Sequence, residues 1–375
     1  MAKPIKILYI IDELNCKRGG TENQLIKLLH GLNREKFQVH VLRFQIRSWS
    51  EIDSSVLQCD ESTINVYKFN RISTYINFIK LIKFIREYKP NIVHTYFPVG
   101  NILGVIAAKL AGVENTVSSR RDYGEWMNSR YLMATRFANK FVTKIVANSY
   151  SVKKLTENKE HTRNGQVEVI LNGINTKEFN NIGKDADLKA RLNIPGHDKV
   201  VGIVANFWPV KKHSTFIKAA AEIAAVRKDI SFVLVGAGEM QSELESLGAS
   251  LNIAHKLVFT GPQAHVIPYL SIMDIGVNCS EREGLSNAIM EYMAAGVPCV
   301  VANANGNIDL ITHDENGYTF EIDDYKTLAK LILRLFDDAE TRQKFINNAR
   351  RKIENEMSLE AMICKFENFY HSMVK

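Results

Sequence analysis

Two glutamates, Glu283 and Glu291, bracket a loop-to-helix junction in the run CSEREGLSNAIMEYMAAGVPCVV, Cys279–Val301. The preceding IGVN reads as a strand that runs out at Asn278, and a helix is expected from near Ser286 to Gly296, ahead of Pro298 and another strand. Open α/β sheets bind ligands beyond the carboxyl ends of their strands, which is where Glu283 and Gly284 fall. The first turn of the helix would offer the N–H groups of Leu285, Ser286 and Asn287 to a phosphate. Glu291, further along, is placed to accept from a vicinal diol such as ribose. Taken singly, such glutamates are ordinarily solvated charges. The whole string carries the reading.

Cations and a histidine supply the other candidates. In GIVANFWPVKKHSTFIKAA, which starts at Gly202, Lys211 and Lys212 are either two solvated lysines before a helix or a source of one cation for a bound phosphate group, with Lys212 favoured. In VSSRRDYG, Arg120 and Arg121 could bind a leaving phosphate, or a carboxylate or phosphate on an acceptor. The plainer alternative is an ion pair with Asp122 or Glu125. His94 ends a strand at the same sheet edge and is either a site residue or a hydrogen-bonded packing residue. Near the N-terminus, Arg18-Gly19-Gly20-Thr21-Glu22 follows the first strand and opens a helix. Glycines there let backbone approach a ligand, and Thr21 with Gln24 reads as a capping box.

These residues need a scaffold, and the chain alternates short β-rich apolar runs with helical ones, as parallel doubly wound sheets do. Strands are expected near Ile5–Ile11, Phe37–Phe44, Ile92–Thr95, Asn115–Ser119 and Phe141–Ala147. A second set is expected near Val200–Ala205, Ser231–Val235, Leu257–Thr260, Ile275–Asn278 and Pro298–Ala302. Leu25, Leu28, Leu29 and Leu32 follow helical spacing, as do Ile217, Ala220, Ala221 and Ala224. At 375 residues two domains are the default. The polar stretch Thr176–Pro195 is the expected boundary, giving residues 1–178 and 185–358, with the aromatic segment Leu359–Val374 packing on either domain, so that 359–375 could complete the first.

Composition narrows the class. With 46% hydrophobic and 24% charged residues the chain is an ordinary globular protein. The opening MAKPIKILYI reads as a strand, not a signal peptide, and charges interrupt every stretch long enough to span a bilayer. Five scattered cysteines without a C-x-x-C pair argue against disulfides or zinc and for a cytoplasmic location. Residues 1–180 carry 27 Lys+Arg against 16 Asp+Glu, a balance of +11, whereas 181–375 stand at −4. The basic half should meet something anionic: a membrane surface, a phosphorylated lipid or, formally, nucleic acid, for which no binding motif is present. Tyr75–Lys89, apolar over a broad arc with Lys80, Lys83 and Arg86 near one edge, could lie on an anionic membrane at its inner face or simply be a core helix.

Taken together the motifs resemble glycosyltransferase family 4, retaining enzymes with the GT-B fold of two Rossmann-like domains facing across a cleft. Glu283 and Glu291 have that family's spacing, and Gly296-Val297-Pro298 supplies its turn. The resemblance runs collinearly through the Gly19-Gly20 loop, Asn148-Ser149, Asn172-Gly173, FVLVGAG at Phe232–Gly238, and Gly261, which corresponds to a loop that touches the base. It implies that Glu283 holds donor-sugar hydroxyls, that Glu291 holds the ribose diol, and that Leu285–Asn287 cradle the distal phosphate. Gly20 would face the donor phosphates and acceptor. The sequence departs from the family in three places: Asn206 stands where a phosphate-binding arginine is usual, an arginine replaces a histidine at 120–121, and Asn305-Gly306-Asn307-Ile308-Asp309 replaces a Gly-Gly-x-x-Glu element.

The implied activity is retaining transfer of a sugar from a nucleotide-sugar, UDP-linked by expectation, to a hydroxyl of a glycan or lipid-linked acceptor in surface polysaccharide assembly. The departing phosphate oxygen would take the hydroxyl proton. Without an Asp-x-Asp motif, no obligatory divalent cation is expected. The rivals are a sugar-nucleotide epimerase on the same scaffold and a non-catalytic scaffold subunit. A nicotinamide oxidoreductase is disfavoured because Gln241 stands where Gly236-x-Gly238 would need a third glycine.

Overall fold

A computed structural model describes residues 3–12, 20–45, 57–65, 72–124, 127–180 and 182–374. Cys16, Arg18, Gly19 and Glu125 lie outside the described residues. The chain divides into two units, Met1–Gly173 with Leu359–Lys375, and Ile174–Ser358.

The first unit holds β1 (Ile5–Ile11), β2 (Phe37–Gln45), β3 (Asp60–Asn65), β4 (Ile92–Tyr96), β5 (Asn115–Arg120), β6 (Lys144–Ala147) and β7 (Val167–Val169). All pair in parallel, in the order β3-β2-β1-β4-β5-β6-β7. Apart from Lys6 near its start, the strand IKILYII is apolar because helices cover both of its faces. Ile7, Tyr9 and Ile11 enter one core with Leu25, Leu28 and Leu29 of the helix Gly20–Gly31. Leu8 and Ile10, pointing the other way, meet Leu81 and Ile85 of the helix Ile72–Tyr88. The C-terminal helix Leu359–Met373 completes the first of these cores with Met362, Phe366, Phe369 and Tyr370.

The second unit holds β8 (Lys199–Val204), β9 (Ile230–Val235), β10 (Leu257–Phe259), β11 (Ile275–Asn278), β12 (Cys299–Ala302) and β13 (Tyr318–Phe320). They too pair in parallel, in the order β10-β9-β8-β11-β12-β13. Helices His213–Val226 and Tyr325–Asp337 bury Phe216, Ile217, Ala220, Leu328 and Ile332 against Ile275 and Val277. On the opposite face the Tyr292 ring covers Gly276, where an added Cβ would stand 2.7 Å from it.

Three strands escape a reading based on apolar runs. β3, DESTIN, is a polar edge strand, and β7 and β13 have three residues each. Strand order reverses between β1 and β4 and between β8 and β11, and the carboxyl ends beside such switch points are where ligands of this sheet type bind. No described helix is long and apolar enough to cross a membrane, and the described cysteines are free thiols.

Candidate active site

In the second unit, β11 ends at Asn278 and the helix Asn287–Ala295 begins behind Ser286, an N-cap whose Oγ accepts from the Ile289 N–H. Gly296, at φ 73°, closes the helix by donating its N–H to the Tyr292 and Met293 carbonyls. Tyr292 pins the helix to the sheet: its hydroxyl accepts from Val204 N–H at 2.7 Å and donates to Val277 C=O at 3.3 Å. The electropositive helix start therefore stands at the carboxyl edge of β11, beside β8. Glu283 lies just before it with its side chain 13% exposed, and Lys211 donates to its Oε1 at 2.6 Å. The Glu281 N–H bonds Val210 C=O at 3.0 Å, so backbone and ion pair both join the loops that follow β8 and β11. Leu285 is buried, and Gly284, Asn287 and Glu291 are partly buried around the helix start.

The two adjacent lysines are held differently, and not as the expectation that favoured Lys212 would have them. Lys212 sits at φ 50°, ψ 42°, a left-handed position at the start of the helix His213–Val226. Its Nζ is turned to Asp323 Oδ2 at 2.9 Å and Glu281 Oε2 at 3.3 Å, and the hydrogen bond to Asp323 raises its pKa. Asp323 is further held by Thr215 Oγ1 at 2.9 Å. Lys211, not Lys212, is the cation placed against Glu283. Asn206 is exposed, one residue beyond the loop's contact with Gly236, which bonds in turn to Gly261 O at 3.1 Å. Gly261 itself is at φ 72°. The glycines of FVLVGAG have a packing purpose: a Cβ on Gly238 would stand 2.5 Å from Phe207 O. That close approach of two loops explains the Gly-x-Gly pattern without a nicotinamide cofactor.

Sequence reasoning passed over a set of buried amides beneath the loop. Asn278 Oδ1 accepts from Ser280 N–H at 2.9 Å and from Asn307 Nδ2 at 3.2 Å, while its own Nδ2 donates to Ser286 Oγ at 3.1 Å. Gly306 N–H donates to Glu283 O at 3.1 Å, and a Cβ at Gly306 would lie 2.4 Å from that oxygen. The departure at 305–309 thus props the Glu283 loop from below. Its signal was available as polar residues in an apolar setting, Asn278 at the end of IGVN and Asn307 before Ile308. Among the described residues, no group of three or more His, Cys, Asp or Glu is arranged to hold a metal ion.

In the first unit two of the candidate residues, His94 and Arg120, turn out to be internal. His94 is fully buried, with Nδ1 on Tyr370 Oη at 2.7 Å and Nε2 on Ser119 Oγ at 2.9 Å. It ties the C-terminal helix to the sheet and has no ring nitrogen left for an acceptor. Arg120 is likewise internal: Nε and Nη2 grip Glu160 at 2.8–3.0 Å, Nη1 donates to Ser118 Oγ and Ser119 O, and Nη2 donates to Asn139 Oδ1. Its five N–H groups all have acceptors, so it is a packing residue whose partner is Glu160 rather than Asp122 or Glu125. Arg121, the next residue, donates to Asn172 Oδ1 and borders a pocket with Thr21, Phe97 and Tyr123. Gly20 is exposed at the first described turn of its helix. Thr21 lies inside that helix instead of capping it, and Gln24 exchanges two 3.0 Å bonds with the Gly173 backbone.

Burial also fixes how acid acts on the fold. Desolvation first, then the charge of Arg121, lowers the His94 pKa from 6.5 to about 3. Desolvation and then Lys211 lower that of His213 to about 4. Unfolded, each imidazole takes up a proton near pH 6.5 that the folded protein refuses, so stability is intact above that pH and lost as pH falls toward the folded values. Chemical denaturation at pH 7, 6 and 5 should show a loss of about 1.4 kcal/mol per pH unit per histidine below pH 6.5. His94→Gln should remove its share, and a stability that stays level from pH 6.5 to 5 would show that these rings ionise freely.

Known proteins resemble the chain over both units. The family description "Glycosyl transferases group 1" matches residues 184–352, and "Glycosyltransferase Family 4" matches residues 18–178. The chain is similar to UDP-Gal:alpha-D-GlcNAc-diphosphoundecaprenol alpha-1,3-galactosyltransferase of Escherichia coli, 26% identical over 94% of this chain and 96% of that one. It is 25% identical, over 94% of both chains, to a Campylobacter jejuni alpha-1,4-N-acetyl-D-galactosaminyltransferase that acts on GalNAc-alpha-(1->4)-GalNAc-alpha-(1->3)-diNAcBac-PP-undecaprenol. Among solved structures, Anabaena HepE in complex with UDP superposes with a TM-score of 0.85 at 20% identity, covering 98% of this chain and all of that one. Two parallel-sheet α/β domains of GT-B type, the paired glutamates around a capped helix start and these matches agree: the chain is a glycosyltransferase and belongs to glycosyltransferase family 4.

Proposed function

We propose that the second unit binds a UDP-sugar and that the chain transfers the sugar, with retention, to a hydroxyl of a lipid-linked glycan held by the first unit. The observation that carries this reading is Lys211 paired with Glu283 at 2.6 Å beside the Ser286-capped helix start. A cation, a carboxylate and the peptide dipoles of a helix start at one sheet edge suit a sugar diphosphate: the helix start and Lys211 take the phosphates, Glu283 turns to sugar hydroxyls, and Glu291 takes the ribose diol. Retention follows the family resemblance. In this reading the acceptor hydroxyl attacks the anomeric carbon on the face the phosphate leaves, and the departing phosphate oxygen takes the proton. Lys211 and the peptide dipoles supply the charge compensation that a divalent cation supplies elsewhere, so transfer is proposed to proceed without one.

The acceptors named for the two bacterial relatives above carry an undecaprenyl diphosphate, which favours a lipid-linked acceptor here. Peripheral membrane contact is proposed on the helix Ile72–Tyr88, which leaves Tyr75, Ile76 and Ile79 at least half exposed, with Lys80, Lys83 and Arg86 exposed as well. Such a contact would put the protein at the cytoplasmic face.

The test is thermal unfolding with a panel of nucleotide-sugars. A true donor at about a hundred times its Kd stabilises the unit that binds it by about 2.7 kcal/mol. A UDP-sugar is expected to raise the transition, Glu291→Ala to weaken that rise, and transfer to persist in EDTA. No response to any nucleotide would defeat the donor reading, and transfer abolished by EDTA would defeat its metal-free form.

A further inference from the structure

Arg121 differs from its neighbour in a way that calls for a ligand. Arg120 has Glu160 as a bidentate counterion and an acceptor for every N–H. Among the described residues Arg121 has no ion-pair partner; one N–H goes to Asn172 Oδ1, and Nε is shut away from water without any acceptor. Glu22 acts on it only as a more distant charge, and desolvation, the largest influence, lowers its pKa. A second unspent atom stands close by. Asn148 is 3% exposed, its Nδ2 donates to Arg121 O at 3.3 Å, and its Oδ1 is buried with no partner. Leaving a charged donor and an amide oxygen unsatisfied is costly, and native proteins rarely keep both without a use.

The place is also right. Arg121 follows β5, Asn148 follows β6 and Asn172 follows β7, while Thr21 and Phe97 of the adjoining pocket come after β1 and β4. All lie at the carboxyl edge of the first sheet, next to its β1/β4 switch point. Phe97 holds φ 61°, a left-handed conformation that a bulky residue adopts only under constraint, at the wall of the same pocket.

We infer that Arg121, with Asn148 and Asn172, is a receptor for a glycosyl phosphate on the acceptor side of the reaction. The guanidinium fork takes phosphate oxygens, and Asn148 Oδ1 accepts from a sugar hydroxyl next to that phosphate. This deepens the transfer reading and rests on it for the word acceptor, not for the site.

The test is calorimetric titration of the full chain, saturated with UDP, using glucose 1-phosphate as the probe and methyl glucoside and glucuronate as controls. Glucose 1-phosphate should bind, methyl glucoside should not, and Arg121→Gln should weaken binding at least roughly tenfold while UDP affinity and the unfolding midpoint stay put. Arg121→Lys, which keeps the charge and loses the fork, should fall between the two. Unchanged binding in Arg121→Gln, or none in the parent chain, would overturn the inference. Tighter binding of glucuronate would overturn the phosphate in favour of a carboxylate. Should UDP itself not bind, the donor reading fails on its own, and the effect of Arg121→Gln on glucose 1-phosphate is still read directly.

Discussion

Replacing Lys211 by alanine is expected to lower sugar transfer by about 10²–10³-fold, the loss seen when one preorganised donor to a developing oxyanion is removed, whereas Lys212→Ala should retain most of the rate. The asymmetry comes from where the two ammonium groups are held. Lys211 Nζ lies 2.6 Å from Glu283, at the edge of the loop that leads into the helix Asn287–Ala295. A diphosphate arriving there competes with Glu283 for that ammonium, and its claim strengthens as the sugar–phosphate bond stretches and charge builds on the leaving oxygen. Lys212 is occupied by Asp323 and Glu281, so its loss removes a partly exposed ion pair of small worth. Lys212→Gly should be tolerated better still, because glycine adopts φ 50° without strain. Glu283→Ala should cost at least about tenfold, or about 1.4 kcal/mol. Because Lys211 and Glu283 touch, the double variant should lose less than the two single losses combined. A steady-state comparison decides the matter: a collapse in Lys212→Ala with near-normal Lys211→Ala would restore the other lysine to the phosphate.

The same pair of lysines shows where sequence legibility ends. Adjacent lysines before a helix announce a cation, but which one turns inward depends on a single backbone dihedral, and no residue type at 212 signals a left-handed conformation. The Glu283–Glu291 element was legible because strand, loop, cap and closing glycine are all local features, and each falls within a residue of its expected place. Ten strands were legible for a similar reason: buried parallel strands are apolar runs. β3 was not, since an edge strand can be as polar as DESTIN. His94 and Arg120 misled because a polar residue at a strand's carboxyl end has the same sequence signature whether it faces a ligand or an internal partner. Their partners, Tyr370 and Glu160, stand 276 and 40 residues away, a distance that no pattern in a single sequence spans. Gly306 and Asn307 belong to the same class: the loop they support comes more than twenty positions earlier in the chain.

Deleting residues 359–375 is expected to unfold the first unit and leave the second standing. The helix Leu359–Met373 is joined to the chain beyond the second unit, yet its apolar face belongs to the core around β1. Met362, Phe366, Phe369 and Tyr370 are each at most 6% exposed there. At about 1.5–3 kcal/mol for each large side chain buried, their removal forfeits about 6–12 kcal/mol, as much as a whole domain's stability. Polar contacts add to this: Asn33 N–H donates to Glu367 Oε1 at 2.9 Å, and the Tyr370 hydroxyl bridges Tyr9 Oη at 3.0 Å and His94 Nδ1 at 2.7 Å. Tyr370→Phe isolates that last contribution, leaving two buried polar groups short of a partner at a cost of about 1–3 kcal/mol each. The truncated chain should show protease-sensitive strands β1 to β7 while Ile174–Ser358, which has a separate core, keeps its unfolding transition and its response to a nucleotide. An intact first transition after truncation would mean that the β1 core closes without this helix. Because the segment that seals one unit lies in sequence after the other, the first unit can reach its full stability only once the chain extends through Leu359–Met373.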